Sequence, residues 1–140
     1  MRCLFAVATV LMIGALPAHA GRVVIEVVDT SGHPVADAVV SLAPMPGGTA
    51  RSTPPATRYV DQKDETFLPY VTAMHPGDSV IFRNSDNTRH HVYSFSDMVK
   101  FEYMLGPGEN SPALLLNSPG NAAVGCNIHD QMLTYLYVTK

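Results

Sequence analysis

Cysteine is nearly absent from this 140-residue sequence, which holds only Cys3 and Cys126. The first belongs to a segment expected to be removed. Met1 and Arg2 give a short positive start, Cys3 to Leu16 is almost unbroken apolar sequence, and Pro17-Ala18-His19-Ala20 ends in a small-x-small pattern. Residues 1–20 therefore read as a cleaved secretion signal, and residues 21–140 as a single periplasmic domain. An internal disulfide is then excluded, and Cys126 is a lone thiol in an oxidising compartment, where it must be buried, paired with another chain or held by a metal. No second apolar run of spanning length follows, so the mature chain has no integral membrane segment. Basic tracts are missing too. Without Arg2, 8 Lys and Arg face 12 Asp and Glu, formally −4 with His neutral, which excludes nucleic-acid binding through phosphate neutralisation. A long 3.6-residue apolar period is lacking, which argues against a helical fold. The mature length allows one modest core and not a multidomain enzyme.

Short β-branched or aromatic runs separated by turn chemistry are present instead, and they predict an all-β Greek-key sandwich or barrel of about eight strands. Val23 to Val28 and Val35 to Leu42, joined by Asp29-Thr-Ser-Gly32, are expected to form an opening hairpin. Residues 44–55 hold four prolines and two glycines and should be irregular. Extended segments are expected over Phe67 to Met74, Ser79 to Arg83, His90 to Ser94, Phe101 to Leu105, Ala113 to Leu116, Ala122 to Cys126 and Met132 to Val138.

The chemistry concentrates in Cys126-Asn-Ile-His129-Asp-Gln-Met132. A thiol, an imidazole and a thioether follow one another at intervals of three, between the end of one expected strand and the start of the last. With 5 His and 5 Met among the 120 mature residues, that pair of offsets arises by chance about once in 580 trials. The set suits one copper ion, which takes thiolate and imidazole and tolerates a long axial thioether bond, whereas zinc would leave Met132 unexplained. A trigonal site needs a second imidazole from His33, His75, His90 or His91. His33 and His75 sit in turns and read as surface residues. His90 and His91 follow a strand and a polar loop, and strand alternation lets only one of them face the site.

This loop, with Pro76-Gly77-Asp78-Ser79-Val80-Ile81-Phe82-Arg83-Asn84 leading to His90, resembles the cupredoxins. Over residues 60–138 the pattern Gln62-Lys63, Phe67-x-Pro69, Asn84 to His90-His91-Val92 and Cys126-Asn-Ile-His129 is similar to small periplasmic amicyanin- and plastocyanin-like proteins labelled methylamine utilization proteins. The resemblance implies a type 1 copper protein, not an enzyme, with His90, Cys126, His129 and Met132 as ligands and His91 as the other candidate for the first position. In that group Asn usually follows the first His and braces the Cys-bearing loop, a place held here by His91. The resemblance also implies that His129 reaches the surface within an apolar rim containing Ile128 and Leu133.

The expected function is single-electron transfer by a monomer between redox partners such as a c-type cytochrome or a periplasmic dehydrogenase. Two alternatives stay open: a periplasmic copper chaperone or storage domain, and a β-sandwich binding module. The second rests on Val28-Asp29-x-x-Gly32-x-Pro34-Val35-x-x-Ala38-Val39-Val40, which is similar to the opening of carboxypeptidase regulatory-like segments. A nucleophile-and-base reading of Cys126 and His129 has no orienting group or oxyanion signature to support it.

Overall fold

The computed structural model describes residues 22–49 and 53–139, so the expected signal at 1–20 lies outside the described residues. Among the described residues there is no helix. Nine strands are present: β1 (Thr57–Lys63), β2 (Thr66–Leu68), β3 (Val71–Met74), β4 (Asp78–Asn84), β5 (His90–Ser96), β6 (Val99–Leu105), β7 (Leu114–Leu116), β8 (Gly120–Cys126) and β9 (Leu133–Val138). They form a four-stranded sheet in the order β2-β1-β4-β7 and a five-stranded sheet in the order β3-β9-β8-β5-β6. β1 runs parallel to β4 and β3 parallel to β9, and the remaining pairs are antiparallel. The all-β sandwich expected from the sequence is the architecture observed.

Period-two burial builds the core. Val80, Phe82 and Asn84 on β4, His90, Val92 and Ser94 on β5, and Ala122, Val124 and Cys126 on β8 alternate with exposed or half-buried neighbours, as strands with one face on a shared interior must. Phe82 anchors the interior, stacked on Phe101 with ring centroids 5.3 Å apart and edge-on to Phe67 at 6.5 Å. Val60, Phe67, Val124 and Leu136 complete it from other strands.

The N-terminal part departs from expectation. The chain divides into two compact units, the first ending at Pro34 and the second running from Val35. In the first, Val23 to Val28 makes no strand; Asp29 Oδ1 accepts the N–H groups of Ser31 and His33 at 2.8 and 2.9 Å, and Val28 and Pro34 form an isolated bridge. In the second, Val35 to Leu42 makes no strand either. Neither run of the expected opening hairpin is therefore a strand. Two short strands alone bury too little to hold a ladder, and Val24, Val40 and Leu42 are in fact exposed. The four-stranded sheet has β1 as an inner strand beside β4, where Arg58, Asp61, Gln62 and Lys63 hide the alternation.

Two further boundaries moved. Phe67 to Met74 is split at Pro69, which has no N–H for a ladder, so that β2 and β3 join different sheets. Asp97 and Met98 make a tight turn between β5 and β6, whose strands pair from His90↔Leu105 to Ser96↔Val99.

Candidate metal centre

Three elements meet at one end of the sandwich. The segment after β4 delivers His90 as the first residue of β5, β8 ends at Cys126, and residues 127–132 return the chain into β9. The β5–β8 ladder stops at Val92↔Cys126. His90 lies two residues before Val92, so it shares the inward face and is the diagonal neighbour of Cys126. The loop is closed by Met132 N–H donating to the His129 carbonyl at 3.0 Å. His90, Cys126 and Met132 are buried and His129 is half-buried.

The polar atoms of this end converge. His90 Nδ1 lies 3.2 Å from His129 Nδ1 and 3.7 Å from Cys126 Sγ, and His129 Nδ1 lies 3.9 Å from the same sulfur. A point equidistant from the three atoms sits about 2.1 Å from each, which is the length of a first-row metal bond to nitrogen and close to that of one to sulfur. His90, Cys126 and His129 form the group of metal-ligating type found among the described residues.

The outer edges of the imidazoles explain why their Nδ1 atoms face inward. His90 Nε2 is 2.9 Å from Asp86 Oδ2, and His129 Nε2 is 3.5 Å from Glu65 Oε1. A neutral imidazole carries one proton. With that proton on Nε2 toward a carboxylate, each ring leaves a bare lone pair on Nδ1, and the two lone pairs face each other across 3.2 Å beside a thiol. That arrangement is repulsive without a cation between them and favourable with one. Carboxylate–imidazole pairs of this kind set the tautomer and basicity of metal-binding histidines.

Asp86 is itself held. It accepts the N–H of Asp64 at 2.6 Å and that of Glu65 at 3.1 Å. Burial pushes its carboxyl pKa up, but the bonds from Glu65, His90 and Asp64 outweigh this and leave it below the ordinary carboxylate value. Asn84 shapes the approach to His90. Fully buried, it donates from Nδ2 to the carbonyls of Thr88, Gly106 and Leu105 at 2.8, 3.0 and 3.1 Å and accepts the Asp86 N–H at 2.9 Å.

Of the two adjacent imidazoles, His90 points into the cluster and His91 does not. His91 Nδ1 is 3.4 Å from Asn127 Nδ2, its Nε2 faces Glu102 at 3.6 Å, and its carbonyl accepts the Asn127 N–H at 3.0 Å. The brace to the loop is thus kept with His91 and Asn127 as the pair. His75 lies beside Asp78 and is not part of the cluster, and His33 faces Asp29 within its own unit. Ile128 and Leu133, expected at an apolar rim, are 48% and 37% exposed. Sequence reasoning missed Asp86 and Glu65. Asp86 stands four residues before His90 in a loop, where no periodic rule relates the two, and Glu65 is 64 residues from the ring it faces.

No family model matches the chain, and no curated protein does. Solved structures show the fold. The chain is 17% identical to a mutant of amicyanin in its Cu(I) form, with a TM-score of 0.53 over 57% of this chain and 79% of that one. For amicyanin from Paracoccus versutus (Thiobacillus versutus) the values are 19%, 0.52, 57% and 78%. A copper-containing nitrite reductase from Thermus scotoductus SA-01 is 25% identical with a TM-score of 0.55, over 72% of this chain and 25% of that longer one. The sandwich has the cupredoxin fold, and its cluster of two imidazoles, a thiol and a neighbouring thioether can bind one copper ion.

Proposed function

We propose that this chain is a type 1 copper protein that carries single electrons between redox partners outside the cytoplasm. The observation that carries the reading is the triangle of His90 Nδ1, His129 Nδ1 and Cys126 Sγ, whose sides leave room for one ion at bonding distance from all three. Copper, when bound, would supply a one-electron couple, and His90, His129 and Cys126 with the Met132 thioether would hold it as a donor set that suits both of its oxidation states. The chain's own part is to hold those donors still. His90 and Cys126 are fixed by the β5–β8 ladder, and His129 by a closed turn, so a change of ion charge requires little movement of the protein.

The same features favour retention of the ion over hand-off, since two of the three donors are buried and none belongs to an exposed, exchangeable His and Met cluster. His129 is half-buried, and Ile128 and Leu133 near it in sequence are exposed, so a partner such as a c-type cytochrome or a periplasmic dehydrogenase would dock there through a small, transient interface. The test is to load the purified protein with Cu(II) and record its visible spectrum. An intense thiolate-to-copper band that disappears in Cys126→Ser is expected. No band, or one that survives the substitution, refutes the reading.

A further inference from the structure

The two-residue turn between β1 and β2 has an unexpected backbone. Lys63 pairs with Thr66, and the turn residues Asp64 and Glu65 both lie in the left-handed region, with φ of 53° and 52°. Such a turn is made at least cost by Asn-Gly, and a Glu at its second position is strained. Asp86 compensates by accepting both turn N–H groups while its Oδ2 also meets His90 Nε2. The strain therefore belongs to a turn locked onto one imidazole of the cluster, and what Glu65 supplies that Gly would not is a carboxylate. That carboxylate lies 3.5 Å from Nε2 of the other imidazole, His129, and its second oxygen accepts from Gln131 Nε2 at 3.3 Å.

We propose that Glu65 is a positioning residue for His129, set in place by Asp86, so that the turn and the loop bonded to it each set a carboxylate against the outer nitrogen of one imidazole. The role rests on the copper reading above and adds two consequences to it. Both rings keep Nδ1 bare and aimed inward before any ion arrives, and the paired negative charge favours the more highly charged oxidation state once one is bound.

The test uses the full chain with three variants: Glu65→Ala, Asp86→Asn, and the double variant Asp64→Asn with Glu65→Gly, which installs the favoured turn. In the metal-free protein, ring nitrogen resonances recorded above the imidazole titration range should give the Nε2–H tautomer at both His90 and His129. Glu65→Ala should leave His90 unchanged and convert His129 to a mixture, and Asp86→Asn should disturb both. The double variant should unfold at a higher temperature than wild type yet show the same His129 mixture, an outcome that a merely structural turn would not give. In the copper-loaded protein, Cu(II) affinity should fall about tenfold without the Glu65 carboxylate. The Cu(II)/Cu(I) ratio at a fixed ambient potential should shift toward Cu(I) by about three- to tenfold, or about 30 to 59 mV. A wild-type His129 tautomer in Glu65→Ala, or an unmoved ratio, overturns the proposal while the thiolate-to-copper band still stands. Absence of that band from the wild type overturns the copper reading itself.

Discussion

Replacement of Asn84 by Ala should be among the most damaging single changes outside the donor set. The side chain is fully buried and ties three segments together: the loop at Thr88, the end of β6 at Leu105 and Gly106, and the Asp86 N–H. Its two N–H hydrogens serve three carbonyls, so one is shared, and its oxygen accepts once. Counting three full bonds at about 1 kcal/mol each gives about 3 kcal/mol. Buried carbonyls left without a donor raise the cost to about 4 or 5 kcal/mol, a large part of the 5 to 15 kcal/mol that holds a typical domain together. Asn84→Asp should be worse at neutral pH, because it sets a carboxylate against three carbonyl oxygens. Urea unfolding of the metal-free chain, followed by tyrosine circular dichroism, reads the cost as a lowered midpoint at unchanged slope. Copper affinity should fall with it, since Asn84 fixes the loop that ends in His90. A loss of less than about 1 kcal/mol for Asn84→Ala would refute the claim that this hydrogen-bond hub builds the site.

Two further outcomes test the frame. Burial pushes the Asp78 carboxyl pKa up, but N–H groups of His75 and Ala56, at 3.0 and 2.7 Å, together with Arg58, bring it below the ordinary value. A carboxylate depressed on folding contributes stability that is complete above its unfolded pKa and is lost as pH falls through the folded one. Asp78→Asn should therefore cost about 2 to 3 kcal/mol near neutrality and flatten the acid limb of the stability curve, which pH-dependent urea melts would show. Phe82→Ala removes the ring on which Phe67 and Phe101 pack and should cost about 3 to 5 kcal/mol, with a midpoint shift in the same assay as the readout.

Much of the fold was legible because half-buried strands write their period into the sequence. Ser79 to Arg83 and Ala122 to Cys126 read as strands and are strands, since their alternate residues face one shared core. The opening hairpin failed for the complementary reason: Val23 to Val28 carries strand chemistry, but whether a ladder forms depends on what packs against it, and that is not local. β1 was hidden because outward Asp61 and Lys63 are charged and inward Gln62 is polar, although Gln62 is fully buried and donates to the Arg83 carbonyl at 3.1 Å. The donor cluster was legible in Cys126, His129 and Met132 because two successive intervals of three residues in one loop preserve spacing. The choice of His90 over His91 came from resemblance and is now explained by pleat, as the diagonal partner of Cys126. Asp86 and Glu65 were not legible, since their contacts are made by a turn folding across the sheet end and leave no mark on local spacing.

The central claim is that two imidazole nitrogens and one cysteine sulfur surround a single ion at the end of the sandwich. X-ray absorption at the copper edge of the loaded, full-length protein tests it most directly. The account predicts one short sulfur scatterer and two nitrogen scatterers at about 2.0 to 2.3 Å, with the sulfur lost in Cys126→Ser and one nitrogen lost in His90→Ala. A first shell of nitrogen and oxygen alone, or a shell unchanged by either substitution, would contradict it.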